Sequence, residues 1–452
     1  MSSTYESFEF TDNTELEASK SETRSEAAAK TKPSVFVLGV SVLTLFFVTQ
    51  LMQLFPKLNG LPLVKIIVAL VAIIFVTTPH LIANRWRLGD IPQFKYLLGI
   101  LLLGVLTLPF SYWRGGSVNF LMETFVKNVV FAYLLVQGAK DNRSSRMIAG
   151  ALVLGCSLIV LAIMTGFGPE VSIYEAEQRM MVGGTYDVND LALLFVVTLP
   201  FAFFLMKEAS FKSRLLLFCA IGLMLLGMVK TASRGGFLGL VVISLFIFVR
   251  SSSEARKYVL IGLLVCATLF VVAAPASFWN RINTIFALEQ DYNMQDGHGR
   301  KSVWQNGIKM LITHPLTGVG IGSFNEAHRV LSDGHIYISP HNSFIQVMAE
   351  LGVGGILCFL AIIITAILGA RRARRLARDA TEAQELWWLA SAIEVSIVGF
   401  MVSGALLSHA YSPIFCFLAA ISASLTARYK IFANPTTADE ESEYAWNSQS
   451  VE

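Results

Sequence analysis

Residues 341–375 read HNSFIQVMAELGVGGILCFLAIIITAILGARRARR, and this stretch decides the fold. From residue 343 to 369 it is apolar for long enough to cross a hydrocarbon core about 30 Å thick, which takes about twenty helical residues. It then stops at Arg371, Arg372, Arg374 and Arg375. A basic stop of this kind marks the cytoplasmic end of a span. Working outward, the same pattern recurs. Spans are predicted at about 35–55, 62–83, 94–112, 117–138, 147–166, 190–206, 214–230, 235–250, 257–275, 343–369, 387–407 and 413–428. The composition agrees. Only 15% of the 452 residues are charged, against roughly a quarter in soluble domains, so an ordinary soluble fold is excluded. The expected fold class is all-α: a polytopic transmembrane helical bundle of about twelve spans, with one long periplasmic loop containing short helices.

Basic residues cluster in alternate loops. They are Arg85, Arg87 and Lys95; Lys140, Arg143 and Arg146; Lys207, Lys212 and Arg214; Arg250, Arg256 and Lys257; and the run from Arg371 to Arg378. Placing these loops in the cytoplasm puts both termini there and the intervening loops on the outer face of the membrane. The chain then divides into a disordered cytoplasmic tail (1–33), N-terminal transmembrane helices (34–189), a core (190–370) that includes the periplasmic loop 276–342, a basic loop with two final helices (371–431), and a second tail (432–452). The run from Val35 to Phe55 is too long for a signal-peptide core. A net charge of only +3 implies no bulk polyanion and no nucleic-acid partner. The five cysteines lie inside apolar runs, without the spacing of a disulfide framework or zinc site.

Three features carry candidate chemistry. The first is His341-Asn342, then nine residues, then Gly352-Val353-Gly354-Gly355. Pro340 fixes the backbone just before the histidine, at the point where the long loop enters a span. An imidazole there suits a general base; an interfacial helix cap by Asn342 is the alternative. The second is Ser233-Arg234-Gly235-Gly236 between two spans. A guanidinium fork grips two phosphate oxygens, and flanking glycines let a phosphate approach the backbone. A reverse turn with a snorkelling arginine is the bland reading. The third runs from Gly299-Arg300 to His314-Pro315-Leu316-Thr317-Gly318-Val319-Gly320-Ile321-Gly322-Ser323-Phe324. Its alternating glycines suit an anion cradle or a rigid loop that aims Arg300 inward, but the lysine and serine of a P-loop are missing. Between these landmarks, Val303, Trp304, Ile308, Leu311 and Ile312 have the spacing of an amphipathic helix against the bundle mouth. Arg114, Arg179, Asp187, Asn189, Asp190, His298, His335 and His409 read as solvated or capping residues, with Asp190 as the cap of the span at 190–206. Glu394 is a buried pair partner or a packing defect. Glu123 and Lys127 interrupt the span at 117–138. No paired acidic cluster suggests a bound metal.

Together, in this order and on one membrane face, these features resemble the O-antigen ligase and Wzy-type polysaccharide polymerase superfamily. The ligase pattern His-[Asn/Ser/Gln]-nine residues-Gly-two residues-[Gly/Thr/Tyr] is met by His341, Asn342, Gly352 and Gly355, and its Arg-x-x-x-Leu element by Arg234 and Leu238. The likeness is specific from about 190 to 360. It implies an inverting, metal-independent glycosyltransferase that needs no cofactor. The donor would be a glycan on undecaprenyl pyrophosphate, and the acceptor lipid A-core or another glycan. His341 would be the base. Arg234 and Arg300, and more weakly Arg114 and Arg179, would bind the pyrophosphate, with Gly235 and Gly236 shaping the turn. Membrane lipid would surround the bundle, and a chain-length regulator or flippase would be a compatible partner. Alternatives are a Wzy-type exopolysaccharide or O-antigen polymerase, a protein O-glycosylation enzyme, a lipid-linked oligosaccharide flippase, and a membrane scaffold.

Overall fold

The computed structural model describes residues 34–55, 62–167, 173–174, 179–180, 186–206, 209–251, 253–274, 276, 279, 299–332, 337–377 and 384–433. The expected tails therefore lie outside the described residues, apart from residues 432 and 433, as do His298, His335 and the loop from 280 to 298.

A helix occupies each of the twelve apolar segments. They are α1 (Val35–Leu43), α2 (Leu63–Thr77) with the short α3 (Pro79–Ala83), α4 (Pro92–Leu106), α5 (Arg114–Phe120) running into α6 (Val126–Gly138), α7 (Asn142–Thr165), α8 (Val188–Leu205), α9 (Phe211–Thr231), α10 (Arg234–Arg250) and α11 (Ser253–Ala273). The loop helices α12 (Arg300–Thr313) and α13 (Phe324–Leu331) follow, then α14 (Ser343–Leu376), α15 (Gln384–Gly404) and α16 (Pro413–Ala433). Among the described residues, six helices are long and apolar enough to cross a membrane: 114–138, 142–165, 188–205, 211–231, 343–376 and 386–404. The all-α expectation needs one small amendment. Residues 173–174 and 179–180 form a two-stranded antiparallel ladder.

Local chemistry sets the helix starts. An N-cap side chain satisfies amides that have no partner in the first turn. Ser34, Asp141, Ser210, Ser233 and Asn342 each accept from a first-turn amide in this way. At the start of α8 the cap is Asp187, not Asp190 as expected. Asp187 accepts from Asn189 and Asp190, while Asp190, three residues in, accepts from the Asp187 amide at 3.0 Å. This reciprocal pair is a capping box. The run from Val35 to Phe55 is not one helix either. It passes from α1 into a π-turn at Thr44–Val48, then through a left-handed Gln50 into a 3-10 turn at Leu51–Leu54.

α8 is the centre of the bundle, with four-fifths of its length buried. Small residues let its neighbours approach closely. A Cβ on Gly236 would sit 2.4 Å from that of Ala192, and one on Gly239 would sit 2.2 Å from the Ser403 hydroxyl. Small-residue contacts of this kind are how helices pack without a hydrophobic drive between them. At the Arg250 end of α10, Glu394 is 1% exposed and gathers three arginines. Arg250 reaches it at 2.9 Å, Arg371 at 2.8 Å and Arg374 at 2.5 Å. Glu394 is thus a buried pair partner that ties α10, α14 and α15 together. Glu123 is paired with Lys65 at 2.7 Å and Lys127 at 3.4 Å, which accounts for the charges in its span.

Candidate functional site

The His341 motif is a short helix with a cap at one end and a break at the other. The Asn342 carboxamide oxygen accepts from the amides of Phe344 at 2.9 Å and Ile345 at 3.1 Å. Nine residues later α14 breaks at Gly352, which has φ 64° and ψ −158°. That region is essentially restricted to glycine. The spacing in the motif is therefore the length of a half-helix, residues 343–351. Gly355 follows because a Cβ there would sit 2.4 Å from the Leu351 Cβ.

The glycine-rich block explains the break. Residues 314–324 form a strap laid along the half-helix. The Val319 amide donates to the Ala349 carbonyl at 2.9 Å, Gly320 to Glu350 at 3.0 Å, and Val353 donates back to Pro315 at 2.8 Å. Gly318, Gly320 and Gly322 all have positive φ, and a Cβ on Gly318 would lie 2.3 Å from the Glu350 backbone. The strap does form a cradle, and an internal carboxyl group fills it. The Glu350 carboxylate, 2% exposed, accepts from the amides of Gly322 at 2.9 Å and Phe324 at 3.3 Å. The Tyr411 phenol lies against the same carboxylate. Ser111, Ser117 and Ser323 join hydroxyls at 2.8–2.9 Å and fasten the strap to the start of α5.

His341 sits immediately before the half-helix, half-buried, in left-handed backbone with φ 45°. That conformation is uncommon for a residue with a side chain, and histidine is among those that adopt it more readily. One constraint is visible: the Trp304 indole donates to the Pro340 carbonyl at 2.8 Å. Trp304 stands one turn into α12, so the bond brings Arg300, at the head of that helix, to the same place. Burial, and then the Arg300 guanidinium, hold the His341 imidazole below its usual pKa; Asp187 and Asp190 act in the opposite sense. These four groups form one electrostatic neighbourhood.

Arg234 opens α10, half-buried, after the Ser233 cap, whose hydroxyl accepts from Gly236 at 3.2 Å. A Cβ on Gly235 would touch Leu406 at 3.4 Å, and the Ser403 hydroxyl donates to the Gly235 carbonyl. The Leu406 loop also meets the half-helix, since the Ser343 hydroxyl donates to Leu407 at 2.7 Å. Arg234 is therefore at the His341 end. Arg114 is exposed at the start of α5, beside the strap, and neither it nor Arg234 is among the charges that bear on His341. Arg179 is in the small β-ladder.

Two further expectations change. The buried face of α12 is Val303, Gly307 and Met310, whereas Ile308 and Ile312 are exposed, the latter by 70%. Asp190 and His409, read separately as solvated or capping residues, are one contact: His409 Nε2 lies 2.7 Å from Asp190 Oδ1. Sequence reasoning missed Glu350 altogether. The signal was there, since an ionisable residue inside an apolar span is a functional or structural marker by default.

The family described as O-antigen ligase matches residues 219–360, about a third of the chain, which includes Arg234, Arg300, His341, Gly352 and Gly355. The exopolysaccharide production protein ExoQ of Rhizobium meliloti is 32% identical over 80 residues, 16% of this chain and 18% of that protein. An uncharacterised protein of Haemophilus influenzae is 23% identical over 235 residues, 48% of this chain and 57% of that protein. The chain thus spans less than two thirds of either curated relative. The segment that forms the half-helix, the strap and the flanking arginines is thus the one that matches the O-antigen ligase family, and a shorter stretch of the chain is similar to ExoQ.

Proposed function

We propose that this protein is an inner-membrane glycosyltransferase that moves a glycan from undecaprenyl pyrophosphate to an acceptor hydroxyl at the periplasmic face, in the manner of an O-antigen ligase. The observation that carries the reading is the enforced placement of His341 beside Arg300, between a helix cap and a strap-held break.

The chemistry follows from those positions. The acceptor oxygen attacks the anomeric carbon while the bond from that carbon to the diphosphate oxygen breaks. The acceptor's proton passes to His341. Burial and Arg300 keep the imidazole neutral and able to accept near neutral pH. Negative charge grows on the departing diphosphate, and fixed guanidinium groups at Arg300 and Arg234 stabilise it. The starts of α8, α10, α12 and α14 lie at this end, and helix N-termini favour anions. Attack opposite the leaving group inverts the anomeric centre. Energy comes from the pyrophosphate leaving group, so no nucleotide enters the reaction. Arg114 and Arg179 remain candidates for contacts further along the donor.

The likeness to ExoQ favours a second reading, an exopolysaccharide polymerase with the same chemistry and another lipid-linked glycan as acceptor. One experiment tests both. Wild type and His341→Ala are reconstituted in liposomes with undecaprenyl-pyrophosphate glycan and candidate acceptors, without nucleotide or divalent metal. Release of undecaprenyl pyrophosphate with a single addition supports the ligase, and a product ladder the polymerase. An active H341A removes the base. Movement of the lipid-linked glycan between leaflets with no product would replace the transferase by a flippase.

A further inference from the structure

Asp190 and His409 lie outside the segment that carries the family match, yet they adjoin the site. Both carboxylate oxygens of Asp190 are held. One accepts from the Asp187 amide at 3.0 Å, and the other contacts His409 Nε2 at 2.7 Å. The first contact completes the cap of α8. The second adds nothing to capping, and it joins residues 219 apart in the chain. His409 is 6% exposed. Its backbone amide donates to the Ser343 hydroxyl at 2.9 Å, which fixes the loop to the first residue of the half-helix, two residues after His341. His409 Nδ1 is buried with no hydrogen-bond partner among the described residues. Packing alone does not account for a ring held by one nitrogen with the other unsatisfied.

We propose that Asp190, clamped by His409, is a positioning residue for the reaction, whose fixed negative charge stabilises the imidazolium that forms on His341 as the acceptor hydroxyl is deprotonated. The inference rests on His341 being the base. The O–H bond breaks, an N–H bond forms on His341, and the new positive charge faces a carboxylate already in place. Arg300 opposes this by keeping the resting imidazole neutral. The pair of influences sets a base that is free to accept a proton and is stabilised once it has one. Among the described residues, the other titratable or charged groups at this end are Arg234, Asp187, His409 and Tyr186, whose phenol is pushed well above its usual range by burial and stays neutral.

The test is the pH profile of kcat/KM in proteoliposomes supplied with undecaprenyl-pyrophosphate glycan, for wild type, H341A, D190N, D190E and H409Q. Asp190 raises the pKa of His341. Removing its charge therefore lowers that pKa, and the acid limb of the profile moves to lower pH. For D190N we expect that shift to lower pH, with kcat down about tenfold or more and the donor KM little changed. D190E keeps the charge and the cap but moves the carboxylate, so the limb stays and the rate falls. H409Q keeps a donor towards Asp190, and the limb persists. A D190N limb at the wild-type pH makes Asp190 a helix cap only and overturns the inference. So does the loss of the limb in H409Q, which would make His409 the titrating group. If D190N does not assemble, D190E decides, and a full wild-type rate in it overturns the inference. An active H341A sinks the base reading itself, separately from the outcome at Asp190.

Discussion

Gly352→Ala tests whether the break in α14 holds the site. The structure sets the size of the effect. A Cβ at position 352 would sit 2.3 Å from the Pro315 carbonyl oxygen, 2.9 Å from its carbon and 3.1 Å from the Leu316 carbonyl carbon. These are backbone atoms, and the Pro315 oxygen is held in place by the Val353 amide at 2.8 Å. Relief therefore requires the strap or the half-helix to move. Overpacking of this kind costs about 1–3 kcal/mol. The dihedral angles, φ 64° and ψ −158°, are those of a glycine-only region, and adopting them with a side chain adds about 1–3 kcal/mol. The expected destabilisation is about 2–6 kcal/mol on these two sources. Gly354→Ala is the control. The nearest atom to its Cβ would be the Leu103 side-chain tip at 3.2 Å, in helical backbone, and alanine is the better helix former by about 1 kcal/mol. The assay is thermal unfolding in detergent followed by tryptophan fluorescence, with transfer measured in proteoliposomes below the unfolding range. G352A should unfold at lower temperature and transfer slowly even while folded, because His341 is aimed by the same half-helix. Equal midpoints and equal rates for G352A and G354A would refute the reasoning.

Other substitutions probe single contacts. Arg300→Ala removes the cation that, after burial, most lowers the His341 pKa, so the acid limb of kcat/KM should move to higher pH as the rate falls; an unmoved limb separates Arg300 from His341. Trp304→Phe loses the 2.8 Å bond to Pro340, worth about 0.5–1.5 kcal/mol, and should slow transfer more than it lowers the unfolding midpoint; an unchanged rate would release His341 from α12. Glu394→Leu leaves three guanidinium groups without their shared carboxylate, and breaking a buried pair costs up to about 3–5 kcal/mol. Solvent screening reduces the part due to Arg371, which is 44% exposed, so Arg374→Ala, at 13%, should lower the midpoint more than Arg371→Ala; the reverse order would contradict the assignment.

The bundle was legible because apolar runs and arginine stops depend only on transfer free energy and loop charge. The half-helix was half legible. Asn342 read as a cap and Gly352 as a motif glycine, yet the segment 343–369 read as one uninterrupted span, because a glycine in an apolar run does not disclose its backbone angles. The orientation of α12 was not legible for a related reason. Near a membrane both the packed side and the lipid side are apolar, so periodicity does not tell Gly307 and Met310, which face the protein, from Ile308 and Ile312, which do not. The Asp190–His409 contact is set by tertiary packing across 219 residues, and no local spacing announces it.

The geometry divides the molecule's electrostatics between its two ends, and the division has a mechanical consequence. At one end Glu394 holds three helices through Arg250, Arg371 and Arg374. At the other, Glu350 is enclosed by the Gly322 and Phe324 amides and fixes the strap against the half-helix that carries His341. A buried carboxyl group satisfied by backbone amides makes a loop rigid without presenting a charge to the site. On the proposed mechanism, Arg300 and Arg234 are the guanidinium groups that meet the anionic leaving group. Loss of Glu394 should therefore change stability while leaving the rate per folded molecule near wild type. Replacing Glu350 by glutamine, which keeps one acceptor oxygen where two amides now bond, should change both. A Glu394 variant that folds yet transfers slowly would mean that the two ends are coupled through α14, and that the break at Gly352 does not insulate the half-helix from the rest of the span.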